Sequence, residues 1–166
     1  MKMMIDLETW GKEMDSEIIA VGVVIFDQEI KQMHKWCVIS QPQRTRDPET
    51  VTWWMSRKET LMTLLNAPKH QLEDVLCWIN DLHTTTGVTE VWAKSPTFDL
   101  MILDHAYHEF SLTKPWRFFE EQDVRTVEAL LGISKLTKSL SITPHDPLSD
   151  CIAQTENVIK LMGALR

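Results

Sequence analysis

Nine consecutive residues, Ile18–Phe26 (IIAVGVVIF), carry no polar side chain and are dominated by β-branched ones. A run of that length and composition reads as a strand buried on both faces, which other layers must cover above and below. Residues 3–8 (MMIDLE) read as another buried strand. Residues 28–40 read as a third, with Ile30, Gln32, His34 and Trp36 alternating against Lys31, Met33, Lys35 and Cys37. The loop at residues 12–16 and the turn near Asp27 are short, so the three strands form an antiparallel meander.

After a polar break at residues 41–47 the pattern turns helical. Val51, Trp54, Met55, Lys58, Met62 and Leu65 share one helical face, and Pro68 ends that run. Leu72, Val75, Leu76, Ile79 and Leu82 mark a helix over 71–84, closed by Gly87. Residues 88–93 are an apolar strand, followed by Pro96 and a helix over 98–110 on the stripe Phe98, Ile102 and Ala106. Residues 115–119 supply a fifth strand, and 123–131 and 147–165 the last helices, with Gly132 as a stop signal. The fold class expected is α/β: a mixed five-stranded sheet, the meander plus parallel strands, with helices on both faces.

At 166 residues and 43% hydrophobic content, with no repeat or linker, the chain is expected to form one domain over 1–166. No stretch approaches the ~18 apolar residues of a membrane span, and Met1 leads into a strand without a signal-peptide core, so a cytoplasmic location and no membrane partner are expected. Cys37, Cys77 and Cys151 show no zinc-ligand spacing. The net charge of −7 argues against a protein that grips long nucleic acid by charge alone. It leaves nucleic acid open as a substrate, because carboxylates gathered around divalent cations present a locally cationic site.

The acids are where chemistry concentrates. Asp6 and Glu8, two apart on a strand, point to one face, and two close carboxylates in low dielectric repel unless a cation or proton compensates. A solvated acidic edge strand explains that pair equally well. Asp99 sits at the first turn of a helix, where an acid is also simply stabilising. In the segment Thr143-Pro144-His145-Asp146-Pro147, Pro147 suits the first helical position and Asp146 the N-cap, which leaves His145 and Asp150 free to project together. Taken together, four hard oxygen donors without thiolates suit two Mg²⁺ or Mn²⁺ ions rather than zinc. Such a pair, ~3.5 to 4 Å apart, suits in-line attack on a phosphodiester, with a histidine to take the proton of the attacking water. The acids lack the spacing of an EF-hand calcium loop.

Asp6-Leu7-Glu8-Thr9, then Phe98-Asp99, then His145 ahead of Asp150, resemble the DEDDh 3′-to-5′ exonucleases of the ribonuclease H-like superfamily in order and spacing. Trp92-Ala93-Lys94, the tryptophans at 53 and 54, and Asp123-Val124-Arg125-Thr126 are similar to the small exoribonuclease branch of phages and mycobacteria, and also to exodeoxyribonuclease VIII-like sequences. Trp10 directly after Thr9 departs from that pattern. The resemblance implies a ribonuclease H-like fold, Asp6, Glu8, Asp99 and Asp150 as ligands of two Mg²⁺ or Mn²⁺ ions, and His145 as general base. It also implies a single-stranded nucleic acid 3′ end as partner, RNA before DNA, and admits a homodimer. A nucleic-acid-binding protein that keeps the fold without turnover is the alternative from another class, against which the complete set of acids argues.

Thr9, Trp10, Trp53 and Arg57 are the residues expected to touch substrate. Trp53 and Trp54 cannot share a helix face. Trp54 joins the apolar stripe, whereas Trp53 aligns with Arg57, where a ring could stack on a base or pack against a neighbouring element. Arg44, Arg46, Arg57, Lys58 and Lys94 offer a cationic rim, with scattered solvated charge as the plain alternative. Asp123 and Arg125 read as a local pair or a helix cap rather than as catalytic groups.

Overall fold

The computed structural model describes residues 1–130, 132 and 143–164. Strand β1 (Lys2–Thr9) pairs antiparallel with β2 (Ile18–Phe26), which pairs antiparallel with β3 (Ile30–Val38), giving the expected meander. All nine residues of β2 are buried. Strand β4 (Lys69–His70) lies parallel beside β3, while β5 (Glu90–Ala93) lies parallel beside β1 and β6 (Glu121–Asp123) parallel beside β5. The sheet order is β4-β3-β2-β1-β5-β6. It holds six strands rather than five because β4 is two residues long, too short to carry any hydrophobic period.

Alternation along β1 decides what each face does. Met3, Ile5 and Leu7, with Val21, Val23 and Ile25, pack against α3 (Leu72–Thr86) and α4 (Asp99–Glu109). Met4, Val24, Phe26 and Trp92 pack on the other face with Cys151 and Val158 of α6 (Pro147–Ala164). Asp6 and Glu8 share that second face by the two-residue period. Burying each large apolar side chain of these layers contributes about 1.5–3 kcal/mol. Among the described residues no helix is long and apolar enough to cross a membrane.

The single helix expected through residues 51–65 is two: α1 (Pro48–Met55) and α2 (Lys58–Asn66). Asp47 caps α1, accepting from the N–H groups of Glu49 and Thr50. Ser56 then closes it, its N–H donating to Trp54 O and its hydroxyl to Trp53 O, and Arg57 leaves helical geometry at φ −122°. The break resets the phase. Trp54, Leu61 and Leu64 face inward with Trp10 and Ile19, while Met55, Met62 and Leu65, assigned to the stripe, are exposed.

The fifth strand also lies elsewhere than at residues 115–119. Trp116 is buried edge-on against Tyr107 with its Nε1–H donating to Glu121, and Phe118–Glu120 forms one turn of 3₁₀ helix with Phe118 80% exposed. The strand that joins β5 is the polar Glu121–Asp123, half-buried at the sheet edge, where hydrophobic pattern gives no signal. Asp123 then caps α5 (Val124–Leu130), accepting from Arg125 N–H at 3.0 Å and Thr126 Oγ1 at 2.7 Å. Gly132 adopts φ +67°, as a helix stop requires, while Leu131 and Leu165 lie outside the described residues.

Candidate active site

Asp6 stands opposite Gly22 across the β1–β2 ladder. A Cβ on Gly22 would come within 2.2 Å of Pro147 O, so the first turn of α6 rests directly on the β2 backbone. That contact needs glycine, and it places the start of α6 over the acids of β1. Asp146 caps the helix, accepting from Ser149 N–H at 3.0 Å, with Pro147 in the first turn. Its other oxygen takes a 2.6 Å ion pair from Lys35. His145, at φ +66°, turns the chain so that its N–H donates to Asp150 Oδ2 at 3.0 Å. One turn further on, Gln154 Nε2 donates to Asp6 Oδ1 at 2.8 Å.

Asp99 opens α4 just beyond β5 and is 3% exposed. Its Oδ1 accepts from Leu7 N–H at 3.0 Å, a bond that ties the helix to β1. Asp6, Glu8, Asp99, Asp150 and His145 therefore line one cleft, together with Lys94, Phe98, Arg125 and Gln154. The five residues expected to form the site come together across 144 positions of sequence (150 − 6 = 144).

Electrostatics in the cleft are strained by burial. Desolvation, then the charges of Asp99, Glu8 and Asp150, push the Asp6 carboxyl well above the usual carboxylate range, against the Gln154 hydrogen bond. Glu8 is raised by desolvation and then by Asp150, Asp99 and Asp146. Asp99 is raised by burial to about 7, although the Leu7 N–H, its own N–H and the Arg125 charge all pull it down. Such a set cannot be fully ionised near neutrality without cations between its members. Glu8, His145 and Asp150 each offer a ligand atom, all within 4.8 Å of one another. Gln154 Oε1 is buried in the same cleft without a hydrogen-bond partner. Close carboxylates, a neighbouring imidazole and an unused amide oxygen fit a hard divalent cation.

A second, apolar cleft of about 350 Å³ adjoins the first through Leu7, Glu8 and Phe98, and runs past Thr9, Lys12, Glu49 and Trp53. This volume is that of a small-molecule pocket. Thr9 and Trp53, two of the residues expected to touch substrate, line it. Trp53 is edge-on to the His145 ring at 4.7 Å, and the Arg57 guanidinium lies 3.9 Å from the Trp53 ring centroid. Arg57 thus reaches this site through the Trp53 ring.

Trp10 lines neither cleft. It is 7% exposed and, just past the end of β1, packs with Ile19, Cys37, Trp54 and Leu64. Nor do two members of the cationic rim. The Arg44 side chain is 1% exposed and paired to Glu109, and Arg46 is paired to the buried Glu17. Each offsets a carboxylate away from the cleft's lining. Lys94 does line the cleft, paired with the buried Glu128 at 3.2 Å, and Lys58 is exposed. The sequence reading misses Gln154 and takes Arg125 only as a local pair or a helix cap. Gln154 follows Asp150 by four on one helical face, a spacing that could have exposed it. Arg125 reaches the cleft only because β6 pairs with β5, which nothing local announces.

The model of the 3′-5′ exoribonuclease Rv2179c-like domain matches residues 1–162. No curated protein sequence matches the chain. Among solved structures, a full-length 3′-exonuclease aligns with TM-score 0.68 at 16% identity, covering 98% of this chain and 81% of that one. Exonuclease X in complex with 5′ overhanging duplex DNA aligns with TM-score 0.61 at 18% identity, covering 99% and 92%. The nuclease domain of 3′hExo, a DEDDh family member bound to rAMP, aligns with TM-score 0.61 at 13% identity, covering 99% and 90%. At these identities the likeness is one of fold, the ribonuclease H-like fold of DEDDh exonucleases.

Proposed function

The chain belongs to the family of the Rv2179c-like 3′-5′ exoribonuclease domain, a family of metal-dependent 3′-5′ exonucleases, and from that premise we propose the reaction and its residues. The protein releases nucleoside 5′-monophosphates one at a time from the 3′ end of single-stranded RNA, and residues 1–166 act as one exonuclease domain. The convergence of Asp6, Glu8, Asp99 and Asp150 with His145 in one cleft carries this assignment.

Asp6, Glu8, Asp99 and Asp150 hold two Mg²⁺ or Mn²⁺ ions. When bound, these cations stabilise charge developing on the phosphate and acidify the attacking water. His145 takes the proton of that water, from a loop fixed by its own N–H bond to Asp150 and by the Trp53 edge. Gln154 holds one oxygen of Asp6 and so fixes which lone pairs of that carboxylate face the cleft. The terminal nucleoside enters the apolar cleft between Thr9, Trp53 and Phe98, which excludes water from one side of the reacting phosphate.

RNA is preferred on the family's description. DNA is the second reading, favoured by the alignment with a DNA-bound exonuclease. Matched RNA and DNA oligonucleotides, single- and double-stranded, digested with and without chelator and read by mass, test all of this. Stepwise 3′ shortening of single-stranded RNA, stopped by chelator, is expected. Faster loss from DNA would reverse the sugar assignment, and efficient cutting of closed circles or full activity in chelator would reject the reaction.

A further inference from the structure

Arg125 projects from the first turn of α5 into the cleft, and its role is not absorbed by the chemistry above. The backbone beneath it is fixed by Asp123, which accepts from both Arg125 N–H and Thr126 Oγ1. The side chain is exposed, and among the described residues its guanidinium has no ion-pair partner. Lys94, the other cation lining this cleft, is already paired with Glu128, which is buried. Arg125 therefore stands as a positive charge beside four carboxylates with its forked donors uncommitted to any of them.

Its position along the sheet matters more than its charge. Arg125 follows β6, the outer strand on the β5 side, whereas Thr9, Lys12, Thr50 and Trp53 line the apolar cleft across β1 toward α1. The carboxylates lie between the two. Asp99 opens α4 directly after β5, the strand that β6 joins, whereas Asp6 and Glu8 sit one strand further in on β1. With the terminal nucleoside in the apolar cleft and the bond to be cut over the acids, the rest of the strand leaves past Asp99. Arg125 lines the cleft on that side, where the next phosphate would pass.

We propose that Arg125 binds the phosphate one nucleotide upstream of the scissile bond, its planar fork taking the two non-bridging oxygens. This rests on the exonuclease reading given above. It makes Arg125 a substrate-binding residue that senses the strand behind the cut rather than the nucleotide being released, so a substrate's hold on the enzyme depends on the charge of that linkage.

The test crosses protein and substrate. Wild type, Arg125→Ala and Arg125→Lys are compared on a single-stranded oligonucleotide and on the same oligonucleotide with the upstream linkage replaced by a neutral methylphosphonate. Both kcat/KM with Mg²⁺ and equilibrium affinity in chelator are measured. Replacing the linkage should cost wild type about tenfold, Arg125→Ala should lose about tenfold on the native strand, and the two losses should not multiply. The salt dependence of binding should fall by about one counterion in Arg125→Ala, with Arg125→Lys keeping it. Losses that multiply would overturn the assignment, as would equal losses on both strands accompanied by a drop in melting temperature. Were wild type to leave every strand intact, the exonuclease reading would fail, while the affinities would still decide whether Arg125 meets that phosphate.

Discussion

Gly22→Ala tests whether the contact between β2 and α6 builds the cleft. The added methyl would sit 2.2 Å from Pro147 O and 2.4 Å from Pro147 C, both backbone atoms that no rotamer change can move. Ordinary contact begins near 3.4 Å, so the first turn of α6 must retreat by about 1.2 Å (3.4 − 2.2 = 1.2). Overpacking of this kind costs about 1–3 kcal/mol, which lowers the melting temperature by roughly 3–10 °C in a domain of this size. The same retreat carries His145, Asp150 and Gln154 away from Asp6 and Glu8, and a misplacement of ~1 Å can cost about 10²-fold in rate. Thermal melts and single-turnover cleavage of a 3′-labelled oligonucleotide at saturating Mg²⁺ read the two effects. Gly163→Ala is the control, because nothing lies within 4 Å of its Cβ on the same helix. It should stabilise by about 0.5–1 kcal/mol. Wild-type melting and turnover in Gly22→Ala would refute the reasoning.

Three further outcomes are expected. Burial raises the Asp99 carboxyl from 3.8 to about 7, so the folded state holds its proton more tightly than the unfolded chain does. That stability is full below pH 3.8 and disappears as pH rises to about 7. In chelator the wild-type melting temperature should therefore fall across that window more steeply than that of Asp99→Asn; parallel curves would contradict the shift. His145→Ala should keep its fold and substrate affinity but lose ~10² to 10⁴ in single-turnover rate; an unchanged rate would remove it from proton transfer. Trp10→Ala should cost ~3–5 kcal/mol in denaturant unfolding as a core truncation. A small loss of stability with a large loss of affinity would return Trp10 to the substrate.

What could be read from the sequence was whatever a short-range period or a cap encodes. The β2 run, the alternation of Asp6 and Glu8, the Asp146–Pro147 cap and the Gly132 stop each carry their meaning within a few residues. The helix break at Ser56–Arg57 was not legible, because no proline or glycine marks it and the apolar residues continue through it. Strand β6 was hidden for the opposite reason: the apolar Phe118 and Phe119 face solvent, while Glu121–Asp123 does the pairing. The burial of Trp10 was not legible because adjacency to two acids says nothing about it. Arg44 and Arg46 were misplaced because their partners, Glu109 and Glu17, lie 65 and 29 positions away.

The hydrogen bond from Gln154 to Asp6 spans 148 positions, and its length along the chain has a consequence for synthesis. A growing chain made as far as α5 already contains Asp6, Glu8 and Asp99, but nothing yet rests on Gly22, and Met4, Val24 and Phe26 still lack the part of their cover that α6 supplies. Contacts of such separation form late and slowly, since loop closure must precede them. The cleft is therefore complete only once α6 has been made and settles on β2. A chain released before residue 145 would carry three of the acids and no working nuclease.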